Sequence, residues 1–197
     1  MKKITAVLMI MAIMMTSMAM PEAFVSEFAD EAITATAATD AWGREYLTYR
    51  DLKYQVQSDN TICIIGFDIS KDTVEIPDEI DGMPVTKIGA YAFSDAKLIT
   101  EVVIPDTVTA IAVEAFSYCT RLEKVNIPYG VTTIGNYAFE NCESLTEITI
   151  PETVISIGEY AFTYTALTEV VVPDSVQTLK YRAFFCCGDL VSAKLPT

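Results

Sequence analysis

Apolar positions along this chain recur in blocks rather than at one helical or strand period. The pair Ala-Phe ends at Phe93, Phe116, Phe139, Phe162 and Phe184, at spacings of 23, 23, 23 and 22 residues. An aliphatic residue followed by proline recurs at Pro77, Pro105, Pro128, Pro151, Pro173 and Pro196, at spacings of 28, 23, 23, 22 and 23. Two independent markers sharing one period define an internal repeat. Ile99, Leu122, Leu145, Leu167 and Leu190 open the units. In the unit from Leu145 to Phe162, Leu145, Ile148 and Ile150 predict a short strand with one face inward. Pro151 then ends pairing, having no N–H. Val154 and Ile157 mark a second apolar stretch, and Gly158 predicts a sharp turn. Ala161 and Phe162 return to the core. Such a unit is too short to close a core alone, so stacked copies must share one. The prediction is a mainly β repeat solenoid with ~23-residue units.

The flanks break the pattern. Residues 42–75 alternate differently. Leu52 to Val56, then Ser58-Asp59-Asn60, then Thr61 to Phe67 predict strand, turn, strand, and Thr73 to Ile76 begins another. This strand-rich segment is expected to cap the solenoid of residues 76–197, whose apolar end would otherwise face water. The insert Glu79–Val85 accounts for the long first gap. At the other end the sixth unit stops at Pro196. Leu190, Ala193 and Leu195 are expected to form an open terminal strand, which makes an end-to-end homodimer conceivable.

Residues 1–19 carry Lys2 and Lys3, an apolar run from Ile4 to Met15 apart from Thr5, and the small residues Ser17 and Ala19. That is the pattern of a signal peptide cleaved after Ala19, and it is too short for a spanning helix. Residues 20–41, acidic and rich in Ala and Thr, are expected to be a linker. The final LPT is the repeat phase rather than a sorting signal. Secretion, with possible association to a cell surface, is the expected localisation, with no membrane contact after cleavage.

The strings IPDTVTAIAVEAFSYCTRL, IPYGVTTIGNYAFENCESL and IPETVISIGEYAFTYTAL resemble the BspA-type leucine-rich repeat of secreted and surface bacterial proteins. The resemblance covers about residues 74–197. It implies a right-handed leucine-rich-repeat superhelix with a strand-rich entry segment. It also implies a protein partner, such as a host matrix protein or a bacterial surface protein. Departures are local. Ala112 and Lys180 replace the turn glycine, so those turns are expected to be looser. Thr165 replaces a cysteine, and the unit after Phe162 is one residue short.

Composition narrows the chemistry. The chain has 197 residues, 13 Lys plus Arg, 27 Asp plus Glu, and no histidine, for a net charge of −14. Loss of Lys2 and Lys3 with the leader takes the charge to −16. An acidic chain is a poor ligand for nucleic acid, since phosphate contacts need Lys and Arg. Without histidine there is no Ser-His-Asp or Cys-His catalysis and no His-ligated metal. Phosphate-loop sequences are absent. No catalytic residue, cofactor or metal ligand is assigned, and the chain is not expected to be an enzyme.

Stacking turns each repeat position into a column with rungs ~4.8 Å apart. The outward strand positions give Glu101, Lys124, Glu147, Glu169 and Ser192 beside Val103, Asn126, Thr149, Val171 and Lys194. These ten are the candidate binding face, on the concave sheet; a plain solvated face is the competing reading. The column Asp78, Asp106, Tyr129, Glu152 and Asp174 reads as a solvated acidic edge, because a calcium site needs closely spaced oxygen ligands. Tyr91, Tyr137 and Tyr160 share a column with Glu114 and Arg182, and are read as rings lying flat over neighbouring rungs. Cys119, Cys142 and Cys187, level with Ala96 and Thr165, are read as buried thiols acting as small hydrophobes. A Cys119–Cys142 disulfide is geometrically conceivable. Five cysteines cannot all pair within the chain, and unpaired thiols in a secreted protein suit a reducing setting. Two functions follow as expectations: a secreted protein-binding or adhesion module acting through the concave face, or a non-binding structural spacer or shortened remnant of a larger array.

Overall fold

The computed structural model describes residues 38–39, 43, 45–67 and 70–196. The leader at 1–19, and the linker at 20–41 apart from Ala38 and Thr39, lie outside the described residues. The chain divides into two units, Met1–Arg50 and Asp51–Thr197. In the first, β1 (Ala38–Thr39) pairs antiparallel with β2 (Glu45–Tyr49).

The second unit begins with an antiparallel hairpin of β3 (Leu52–Val56) and β4 (Ile62–Phe67). Its turn is closed by Gln57 N donating to Thr61 O at 2.8 Å. Asp59 accepts from Thr61 N and Oγ1 at 3.1 and 2.7 Å, and these bonds hold its carboxyl below the usual range. Then follow β5 (Thr73–Glu75), β6 (Glu79–Ile80) and β7 (Met83–Ile88). The insert is itself a hairpin: Ile80 faces Met83 across Asp81 and Gly82, both at positive φ (52° and 73°). An Asp-Gly pair at positive φ is the two-residue turn that matches strand twist. Tyr54 ties the two hairpins together, its hydroxyl donating to Asp81 Oδ2 at 3.4 Å.

The repeats supply two strands per turn where both form. On one side lie β9 (Ala110–Ile111), β11 (Thr133–Ile134), β12 (Ser156–Ile157) and β14 (Thr178–Leu179). With the entry strands they order as β3-β4-β7-β9-β11-β12-β14, parallel from β4 onward. On the other side are β8 (Glu101–Val103), β10 (Lys124–Val125), β13 (Glu169–Val171) and β15 (Ser192–Lys194). The predicted mainly β solenoid with ~23-residue turns is therefore the observed architecture, and no helix occurs among the described residues.

The Ala-Phe segments form the third side and fill the interior. Phe93, Phe116, Phe139 and Phe162 are each at most 1% exposed. Their rings stack at 5.1 to 5.2 Å with planes within 6°. Phe67 of β4 starts this ladder, tilted at 5.6 Å from Phe93, and Phe184 continues it at 5.2 Å from Phe162. Ile99, Leu122, Leu145 and Leu167 are fully buried beside it.

Three expectations change. Residues 145–150 form no strand, although Leu145 and Ile150 are buried as the pattern requires. None of residues 146–150 donates a backbone hydrogen bond to a neighbouring rung. The short strands accordingly split into β5-β8-β10 and β13-β15. Apolar pattern fixes which side chains face inward, but it does not bring adjacent backbones to ladder distance. The glycine at Gly158 serves close approach rather than a special φ. A Cβ there would lie 2.4 Å from Asn136 N, and one on Gly135 would lie 2.4 Å from the Ala112 carbonyl carbon. Finally, the turns at Ala112 and Lys180 keep the rung-to-rung hydrogen bond of the glycine turns, at the long end of its range. Their amides donate to Ile88 O and Ile157 O at 2.9 and 3.0 Å, against 2.7 to 2.9 Å at Gly89, Gly135 and Gly158.

Candidate functional site

The candidate face is built from outward positions of β8, β10, residues 145–150, β13 and β15. Val103, Lys124, Asn126, Glu147, Thr149, Glu169, Val171, Ser192 and Lys194 are exposed, and Glu101 is half-buried. Buried neighbours explain the alternation: Val102 and Val170 are buried, while the residues on either side of each are more open to solvent. Parallel pairing aligns Lys124 with Glu101, and Glu169 with Ser192.

Two depressions mark this face. One, about 360 Å³, is lined by Glu101, Val103, Lys124, Asn126 and Glu147 together with Val102, Glu123 and Val125. The other, about 370 Å³, is lined by Glu147, Thr149, Glu169 and Val171. The structure thus groups eight of the ten residues around two concavities and leaves Ser192 and Lys194 on β15 outside them. The break in the short-strand sheet, at residues 145–150, borders both of them through Glu147.

Asn126 does something the sequence did not signal. Its Oδ1 accepts from Ile104 N at 2.8 Å and its Nδ2 donates to Ile104 O at 2.7 Å. The side-chain amide extends the β8–β10 ladder by one rung, so its polar atoms are committed to the fold. Asn136 plays a lesser version of this part, its Oδ1 accepting from Glu159 N at 3.0 Å.

None of the five cysteines forms a disulfide. Cys119 and Cys142 are fully buried, and their thiols donate to the carbonyls of Phe93 and Phe116 at 3.0 and 3.2 Å. Burial pushes the Cys119 thiol up to about 12, and Cys142 also well above its usual value. Both stay protonated and unreactive near neutrality. Thr165 fills the same column by donating to Phe162 O at 2.9 Å. The acidic column Asp78, Asp106, Tyr129, Glu152 and Asp174 is exposed throughout, and no metal-holding cluster occurs among the described residues. No helix among them is long and apolar enough to cross a membrane.

The tyrosine column carries the remaining geometry. Tyr137 and Tyr160 stack at 5.2 Å and 4°. Arg182 closes the column, its Cζ lying 4.5 Å from the Phe185 ring centroid, 4.8 Å from that of Tyr181 and 6.0 Å from that of Tyr160. Its Nη1 also donates to the Tyr160 hydroxyl at 3.3 Å.

With this geometry in place, the class is a parallel β solenoid with a phenylalanine-stacked core. The BspA type leucine rich repeat region matches residues 86–197 in 6 copies, and the chain belongs to that family. A leucine-rich repeat protein of T. pallidum is similar at 32% identity, covering 76% of this chain and 71% of its own, with a TM-score of 0.73. A leucine-rich repeat protein from Bacteroides ovatus is 30% identical over 76% of this chain, also at 0.73, and this chain spans 41% of its length. The pneumococcal vaccine antigen PcpA shares the fold, at 18% identity and a TM-score of 0.54. No curated protein matches the chain.

Proposed function

We propose that the chain is a secreted bacterial leucine-rich-repeat protein that binds a protein partner through its concave sheet face, as an adhesion or recognition module. The observation that carries this reading is the make-up of that face. Val103 and Val171 are 45% and 56% exposed, and each lines a shallow depression, Val103 with Glu101, Lys124 and Glu147, Val171 with Glu147 and Glu169. An apolar contact ringed by charge is the anatomy of a protein interface; an inert spacer would be evenly polar there. Repeat folds of this kind present extended surfaces of this sort to partners. The leader-like sequence at 1–19 supports export.

Capture from host matrix and bacterial surface extracts on the immobilised protein tests the proposal. Lys124→Glu, Glu147→Lys and Glu169→Lys together are expected to abolish capture while leaving the melting temperature within a few degrees, as surface changes should. Capture unchanged by the triple reversal removes the concave face from the proposal. No capture from either extract favours the spacer.

A further inference from the structure

The geometry points to a second recognition surface, on the Ala-Phe side of the solenoid. There Tyr137 and Tyr160, with the carboxylates of Glu114, Glu140 and Glu159, form a seat for a lysine or arginine side chain of a protein partner. This surface is independent of the concave face.

The chain itself shows the chemistry. The column reads Tyr91, Glu114, Tyr137, Tyr160, Arg182. At its end the guanidinium of Arg182 is held by three aromatic rings and the Tyr160 hydroxyl. Aromatic faces attract cations through the ring quadrupole, and arginine is the usual occupant. The stacked pair therefore has one end closed by the protein's own cation. The other end differs. Tyr137 is followed one rung earlier by Glu114, whose amide donates to Asn136 O at 2.9 Å.

Carboxylates gather at that end with no paired cation among the described residues. Burial raises the Tyr137 phenol, and Tyr160, Glu159, Glu140 and Glu114 add to the shift. Burial likewise raises the Glu140 carboxyl, with Glu114 adding to it, although Ser117 Oγ donates to Glu140 Oε2 at 3.4 Å and opposes the shift. The recorded ion pairs, Lys71–Asp51 and Lys97–Asp95, involve none of these acids, and no other ion pair engages them among the described residues. An aromatic face backed by uncompensated carboxylates is complementary to one cation, and a side chain reaching in from an extended segment would supply it.

Titration of the ¹⁵N-labelled full chain with a blocked Gly-Arg-Gly-Arg-Gly peptide tests this, with Gly-Glu-Gly-Glu-Gly as the charge control. Saturable shifts are expected at residues 114, 137, 140 and 159 with the arginine peptide alone. Glu140→Gln, close to isosteric, is expected to weaken binding about threefold, the scale of one exposed cation–π or carboxylate contact. Tyr137→Asn, which keeps a residue tolerant of the local positive φ of 57°, is expected to do the same. Glu152→Gln, on the exposed acidic edge, is expected to leave binding unchanged. Shifts spread over the acidic surface, or equal losses with Glu152→Gln, would overturn the proposal. So would a loss with Glu140→Gln but none with Tyr137→Asn, because the rings would then contribute nothing.

Discussion

Each Ala-Phe turn holds two residues in the left-handed region, and none of the ten is glycine. They are Tyr91 and Asp95, Glu114 and Tyr118, Tyr137 and Asn141, Tyr160 and Tyr164, and Arg182 and Cys186, with φ between 53° and 63°. Such a conformation costs roughly 1–2 kcal/mol for most side chains. The return is a complete ladder: Tyr137, Phe139 and Asn141 each donate to the next rung, at 2.8, 2.7 and 2.9 Å, while Glu140 and Cys142 close bonds within their own turn. No glycine signalled these positions, so they were not legible in the sequence. The thiol column was legible at Cys119 and Cys142, which are buried as small residues at one repeat position suggest, but not at Cys187, which is only half-buried in the last turn. It also yields a prediction. The folded pKa of Cys119 lies near 12, and that of Cys142 is raised as well, in both cases chiefly through burial. An unfolded thiol titrates near ~8.5. The folded state therefore holds protons that the unfolded state releases. The stability from the Cys119 thiol is complete below about pH 8.5 and is lost as pH rises toward 12, by about 1.4 kcal/mol per pH unit, and the contribution of Cys142 falls with pH in the same direction. Thermal melts of Cys142→Ala between pH 8 and 11 are expected to show a shallower alkaline fall than the parent. Parallel curves would mean that Cys142 does not carry the effect.

At the level of the element, the 23-residue markers located every rung but not every strand. Periodicity fixes which residues face the core, and the stacked phenylalanines follow from it directly. Strand formation at 145–150 fails despite the right pattern, because hydrogen bonding depends on the distance to residues 122–127, which no local sequence encodes. The Asp81-Gly82 turn was a missed opportunity, since an Asp-Gly pair between short apolar runs is a hairpin signal by itself. Phe139 has a ring on both sides at 5.2 Å, whereas Phe184 is half-buried. Phe139→Ala is expected to cost about 3–5 kcal/mol, and Phe184→Ala less than half of that; equal losses in urea titrations would contradict a core graded by burial. Asn126→Ala removes both bonds to the Ile104 backbone and is expected to cost about 1–2 kcal/mol. Asn126→Asp keeps the acceptor, loses the donor and sets a carboxylate against Ile104 O, so it should be no milder. A neutral Asn126→Ala in the same titration would show that the clamp contributes nothing net.

For the molecule as a whole, charge is the term that the repeat pattern leaves unbalanced. The net charge is −14. The acids are distributed over exposed columns: Asp78, Asp106, Glu152 and Asp174 in one, Glu147 and Glu169 in another. In a parallel solenoid, like positions stack, so like charges recur one rung apart, and directly opposed like charges destabilise a sheet. The ion pairs Lys71–Asp51 and Lys97–Asp95, at 3.6 and 3.1 Å, are exposed on both sides, and pairs of that kind contribute at most about 1 kcal/mol. Self-repulsion of this sort is screened once the Debye length falls from ~30 Å at 0.01 M salt to ~10 Å at 0.1 M. Sodium chloride is therefore expected to raise the melting temperature between about 0.01 and 0.3 M, with most of the gain below 0.1 M. Charge reversal within a column, Glu147→Lys beside Glu169, should raise the low-salt melting temperature and flatten its salt dependence. A melting temperature that falls with added salt would mean that attractive pairs outweigh repulsion along the columns, and would place the stabilising electrostatics in contacts other than these acid ladders.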